Sequence, residues 1–173
     1  MSPIEAAALK LAVPALGSVV ILARFRSSPL LAKTLRFPKA SAGAVWISLY
    51  LGWMLATDFV IDWRGPWDFA PWRAAPVAAS VLRLLAVVIA GPLLEELVFR
   101  GLAFGALTRS RLGPAGAVLA TAALWSVLHW SYEPVVILII MVAGMILGAA
   151  RWRTGSLCLP IVMHMMWNAY AIW

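Results

Sequence analysis

From Val77 to Leu107 the chain runs for 31 residues with only four charged side chains, Arg83, Glu95, Glu96 and Arg100. As a helix this stretch would be about 46 Å long at 1.5 Å per residue. That exceeds the roughly 30 Å hydrocarbon core of a bilayer. Further apolar segments cover residues 4–23, 42–61, 113–130, 134–150 and 156–173. No water-soluble fold of this size could hide so many, since 64% of the residues are hydrophobic and 12% charged, against about 45–50% and 25% in soluble domains. The pattern predicts an all-α, polytopic transmembrane helical bundle of about six spans, forming a single domain over residues 1–173. The third segment reads as one long tilted helix ending near Arg109, with Pro92 able to kink it.

The formal net charge of +7 would suggest nucleic-acid binding in a soluble protein. Here the basic residues lie in short runs between apolar segments and read as topology signals, so no nucleic acid is expected. Loop 24–39 holds five Lys or Arg residues, loop 108–112 two and loop 151–155 two, whereas the alternate loops hold Arg64, Arg73 and Arg83. The positive-inside rule places the first set in the cytoplasm and both termini on the opposite side. The charges near the N-terminus follow its apolar stretch rather than precede it, unlike a typical signal peptide. Trp63, Trp67 and Trp72, among prolines between Asp62 and Pro76, suggest a loop lying in the membrane interface. Cys158 is the sole cysteine, which excludes an internal disulfide and reads as a small buried residue.

Ionisable residues inside spans are costly, roughly 2.5–3.5 kcal/mol each on insertion scales, and tend to mark function. Glu95 and Glu96 sit together in the third segment. Arg100 follows Glu96 by four residues, on the same helix face, so the two can pair. Glu95, rotated by about 100°, is then left free for chemistry. Both histidines, His129 and His164, also fall within spans, and Asn168 follows His164 by four residues. Glu95 and His129 each lie seventeen residues from a turn centred near Leu112, which gives them equal depth in an antiparallel hairpin. His164 and Asn168 lie about 15–21 Å from the turn near Thr154, so all four can converge in one layer. Asp58, Asp62, Asp68 and Glu133 fall at span ends or in loops and read as solvated. Trp125 and Trp130 flank His129 as packing or interface residues.

In this order, Glu95-Glu96-x-x-x-Arg100, Trp125-x-x-x-His129 and His164-x-x-x-Asn168 resemble the three motifs of the CAAX-protease and bacteriocin-processing family of glutamic-type intramembrane proteases. The resemblance covers about residues 80–173, the expected catalytic core. It implies peptide-bond hydrolysis within the membrane. Glu95 would be the general base activating water, His129 would help hold that water, His164 and Asn168 would stabilise the oxyanion, and Glu96 with Arg100 would support them. A carboxyl group kept out of water suits proton exchange near neutral pH, and donors aimed at an oxyanion gain strength in a dry site. The family's second motif usually begins with phenylalanine, where this chain has Trp125. Small bacterial relatives that process C-terminal sorting or anchoring tails look closer than prenyl-protein proteases with more spans. The expected setting is the bacterial cytoplasmic (inner) membrane, with membrane lipid and a membrane-anchored or exported protein substrate as partners.

Glu95, His129 and His164 could instead supply three zinc ligands with an open fourth position. No H-E-x-x-H helix is present, and asparagine suits an oxyanion site better than a metal, so the expectation is no cofactor. Two other readings stay open: a non-enzymatic membrane protein such as a bacteriocin immunity factor, and a small proton-coupled transporter using the same acids and histidines as a relay.

Overall fold

The computed structural model describes residues 1–25, 33–61 and 70–172. Six principal helices follow one another: α1 (Pro3–Phe25), α2 (Ala40–Ile61), α3 (Val77–Leu107), α4 (Gly113–Val127), α5 (Pro134–Thr154) and α6 (Cys158–Ala171). A short 3-10 turn, Ala70–Ala74, precedes α3. The all-helical expectation therefore holds for the described residues. Helices α1, α2, α3 and α5 are long and apolar enough to cross a membrane. At 15 and 14 residues, α4 and α6 would extend only about 22 and 21 Å. The expected six spans thus become four helices of crossing length and two shorter ones.

Large apolar side chains cover the outside. Leu16 is 64% exposed, Val77 80% and Phe59 91%. A surface of this kind suits lipid as solvent and would be an aggregation hazard in water. The centre is built by Tyr50 and Met54 of α2, Phe99 of α3, Trp125 of α4, Leu147 of α5 and Met163 of α6. Helix α1 packs along the first half of α3, and α2 closes the opposite side against α5 and α6.

Local chemistry sets the ends. Gly113 at φ +60° and Gly155 at φ +68° take left-handed conformations, which glycine adopts without a Cβ penalty. Pro114 then occupies the first turn of α4, where no donor is missed. Ser156 Oγ accepts the Leu159 N–H at 3.1 Å and closes the first turn of α6.

Helix α3 is continuous but not uniform. It widens into π turns over Ala86–Ala90 and Leu97–Ala103. The Gly91 N–H reaches back five residues to the Ala86 carbonyl. In that register the Val87 carbonyl would look to Pro92, which has no N–H. Asn168 Nδ2 of α6 donates to this carbonyl instead, at 2.8 Å. Similarly, Arg151 Nε of α5 donates to the Arg100 carbonyl at 3.1 Å. The widened turns thus offer backbone acceptors to two neighbouring helices, in keeping with the frequent placement of π bulges at functional sites.

Three local expectations change. Trp72 is buried and not spread in the interface; its carbonyl accepts the Ser80 hydroxyl at 2.7 Å, while Trp63 and Trp67 lie outside the described residues, as do Asp62 and Asp68. Asp58 is not simply solvated: its Oδ2 accepts the Tyr170 hydroxyl at 2.6 Å and ties α2 to α6. Cys158, at the start of α6, is only partly buried.

The tightest helix contact joins α4 and α5, where Gly144 stands against Trp125, Ala122 and the Arg100 guanidinium. A Cβ at position 144 would meet these three at 3.0–3.2 Å. Gly144→Val is expected to lower stability by about 1–3 kcal/mol through overpacking, read as an earlier unfolding transition in detergent. Gly105→Ala, with open space around it, should leave the transition unchanged or slightly later.

Candidate active site

Glu96 and Arg100 form the buried floor of the site, both side chains at 0% exposure. Arg100 Nη1 donates to Glu96 Oε1 at 2.9 Å, the contact expected from their i,i+4 spacing. Its Nη2 donates to the Gly144 carbonyl at 3.0 Å, and its guanidinium carbon lies 4.7 Å from the Trp125 ring centre. One side chain therefore links α3, α4 and α5. Two charges out of water need this degree of pairing, because desolvation otherwise outweighs their attraction.

His164 meets the same carboxylate, with Nδ1 3.0 Å from Glu96 Oε1. A carboxylate only accepts, so Nδ1 carries the proton and donates. The other nitrogen, Nε2, lies 3.9 Å from Glu95 Oε2. That is close enough for attraction between charges and too long for a direct hydrogen bond. His164 thus spans the two adjacent glutamates, a contact that spacing along the chain did not reveal.

Glu95 behaves differently from its neighbour. Its side chain is 37% exposed and lines a cavity of about 410 Å³ enclosed by α1, α2, α3, α5, α6 and the end of α4. Trp125 Nε1 donates to its Oε2 at 2.6 Å. The cavity also takes in His129, His164 and Asn168, along with Lys10 from α1 and Asp58 from α2. Much of the remaining wall is apolar, including Met54, Val136, Ile139 and Ala143.

His129 stands one turn beyond the place that equal depth about Leu112 assigns it. Helix α4 ends at Val127, and it is Trp125 that meets Glu95, so the hairpin folds about residue 110, midway between the two. The Nδ1 of His129 donates to the Trp125 carbonyl at 3.0 Å, since a carbonyl can only accept. Both histidines thus have Nδ1 engaged, which leaves Nε2 for chemistry. Asn168 commits one amide hydrogen to the Val87 carbonyl and retains a second donor.

Of the alternative metal set, Glu95, His129 and His164, one His164 nitrogen already serves Glu96 and the other lies 3.9 Å from Glu95. Among the described residues no three His, Cys, Asp or Glu side chains are arranged to hold a metal ion.

A bundle of apolar helices around a cavity lined by Glu95, His129, His164 and Asn168 defines a polytopic membrane protein with a polar interior. The chain belongs to the Rce1-like type II CAAX prenyl endopeptidase family, which it matches over residues 77–170, more than half of its length. The matched region runs from α3 into α6 and contains Glu95, Glu96, Arg100, Trp125, His129, His164 and Asn168. An uncharacterized 24.3 kDa protein of Escherichia coli is 36% identical over 92 residues, which cover 49% of this chain and 40% of that protein. The match therefore spans well under half of the curated relative. No solved structure matches the chain. Membership, together with the apolar helices, makes it an integral membrane protein.

Arg100→Met would leave Glu96 buried beside His164 without its guanidinium. Breaking a buried pair in this way is expected to cost about 3–5 kcal/mol. Arg109→Met, exposed at the start of the α3–α4 turn, should stay within about 0.5 kcal/mol. Denaturant or thermal unfolding of the two purified variants side by side checks this contrast.

Proposed function

We propose that this protein is a membrane-embedded endopeptidase that cuts a membrane-anchored or exported protein, in an apolar C-terminal sorting or anchoring tail, using water activated by Glu95. The observation that carries this reading is the division of labour between adjacent glutamates. Glu96 is sealed and paired with Arg100 and His164, while Glu95 opens onto the cavity. A mainly apolar cavity of about 410 Å³ falls within the usual range for small ligand sites and can hold a few residues of an extended apolar tail.

In this mechanism Glu95 takes a proton from water as the water oxygen attacks the scissile carbonyl carbon, with His129 helping to hold that water. The carbonyl oxygen becomes an oxyanion, met by N–H donors from His164 and Asn168. For His164 to donate through Nε2 while Nδ1 serves Glu96, its ring carries both protons, and the Glu96 carboxylate supports that charge. Glu95 then delivers its proton to the amide nitrogen as the carbon–nitrogen bond breaks, which restores the carboxylate. The donor arrangement around His164 favours this metal-free route over a zinc-bound water.

Mass spectrometry of the protein C-termini in host membranes tests the reading. Termini present with the wild-type protein should be absent with Glu95→Gln at equal expression. Their persistence would sink the protease assignment in favour of a non-enzymatic or transport role. The basic loops give a second expected outcome. In a Cys158→Ser background, Glu133→Cys should react with a membrane-impermeant thiol reagent from outside the cell and Arg111→Cys should not, which places the cavity in the outer half of the membrane. Labelling of Arg111→Cys from outside would reverse that orientation.

A further inference from the structure

The geometry points to Trp125 as a positioning residue for Glu95: its indole N–H holds one carboxylate oxygen so that the other is presented to the cavity as the base. This inference rests on the proposed role of Glu95, but it is carried by contacts that sequence spacing did not anticipate.

An indole carries one N–H and no acceptor, and a buried one normally finds a partner. Trp125 is 4% exposed, and its N–H goes to Glu95 Oε2 at 2.6 Å. The ring cannot readily turn away. Its edge-on neighbours are His164, with ring centres 5.0 Å apart, and His129, at 5.5 Å. The Arg100 guanidinium lies over it at 4.7 Å, and Gly144 presses on its edge closely enough that an added Cβ would sit 3.0 Å from Cε3. Rotation would break several of these contacts at once, so the donor is aimed as well as present.

The other oxygen, Oε1, accepts no hydrogen bond among the described residues, and Gly91 beneath it keeps side-chain atoms away; a Cβ there would stand 3.9 Å from Oε1. Donation to Oε2 thus leaves Oε1 to meet water. The carbonyl of the same residue accepts from His129 Nδ1, so Trp125 sets both the base and the histidine that would share its water. Phenylalanine at this position would keep an aromatic ring and the carbonyl but has no N–H.

Trp125→Phe isolates the effect. The other charged or titratable groups around Glu95 stay in place: Glu96 and Arg100 on its own helix, His164 from α6, His129 after α4, and Lys10, Tyr50, Asp58 and Tyr132 around the cavity. The full-length protein in detergent is measured by infrared difference spectroscopy, with the Glu95 carboxylate band identified by its absence in Glu95→Gln. Loss of the indole hydrogen bond should shift the stretching frequency of that band in Trp125→Phe. The same band position in both proteins overturns the proposal, whether or not cleavage is ever detected. Should Trp125→Phe fail to fold, ultraviolet resonance Raman of the Trp125 indole serves instead. Its strong hydrogen-bond signature should disappear in Glu95→Gln, and an unchanged signature is equally fatal. Once a cleaved substrate is in hand, Trp125→Phe should lower kcat about tenfold at neutral pH with little change in KM. Cleavage that survives Glu95→Gln would remove the protease reading, while the infrared result decides the Trp125 contact by itself.

Discussion

The buried contact between Glu96 and Arg100 organises the rest of the molecule. Arg100 has donors to spare after meeting the carboxylate, and they reach the Gly144 carbonyl of α5 while its face lies on Trp125 of α4. Its own backbone carbonyl, released in a π turn, receives Arg151. Guanidinium is suited to this because its donors are fixed in a plane and its charge is weakly hydrated. A lysine could neutralise Glu96 but could not make these several directed contacts at once. Since lipid offers no competing hydrogen bonds, each polar group at this depth depends on such a partner.

That dependence explains why α3 is irregular where the site is built. A regular helix satisfies its own carbonyls and has none to offer. The π turns at Ala86–Ala90 and Leu97–Ala103 expose acceptors on both sides of the Glu95-Glu96 pair, and α6 and α5 fill them with Asn168 and Arg151. Pro92 and Gly91 belong to the same device. The first lacks the N–H that would have closed the helix at Val87, and at the second an added Cβ would crowd the Ala86 carbonyl at 3.1 Å.

Much of this was legible in the chain itself. Apolar runs separated by basic loops give six helices near the expected places, and Glu96–Arg100 follows from helical spacing. The gathering of Glu95, both histidines and Asn168 follows from depth measured from the turns. What escaped is set by a few ångströms of register or by long-range contact. A hairpin centred near residue 110 rather than 112 brings Trp125 opposite Glu95 and moves His129 one turn outward. No periodicity announces that His164 joins the two glutamates, that Asp58 reaches Tyr170, or that Trp72 folds inward. Helix ends were overestimated in α4 because composition does not distinguish a span from an apolar turn such as that after Val127.

Charge balance ties the floor of the site to its open face. Glu95 and Glu96 stand beside Arg100 in a region whose walls are largely apolar, where an unpaired charge is expensive, and Lys10 and Asp58 also line the cavity. The 3.9 Å between His164 Nε2 and Glu95 Oε2 keeps the two within electrostatic reach without a direct hydrogen bond. In the mechanism proposed above, the proton taken by Glu95 would come from the water that becomes the nucleophile, and the new negative charge would arise on the substrate carbonyl oxygen near His164, whose Nδ1 donates to Glu96. On that reading Glu96 and Arg100 would act by holding His164 rather than by touching substrate.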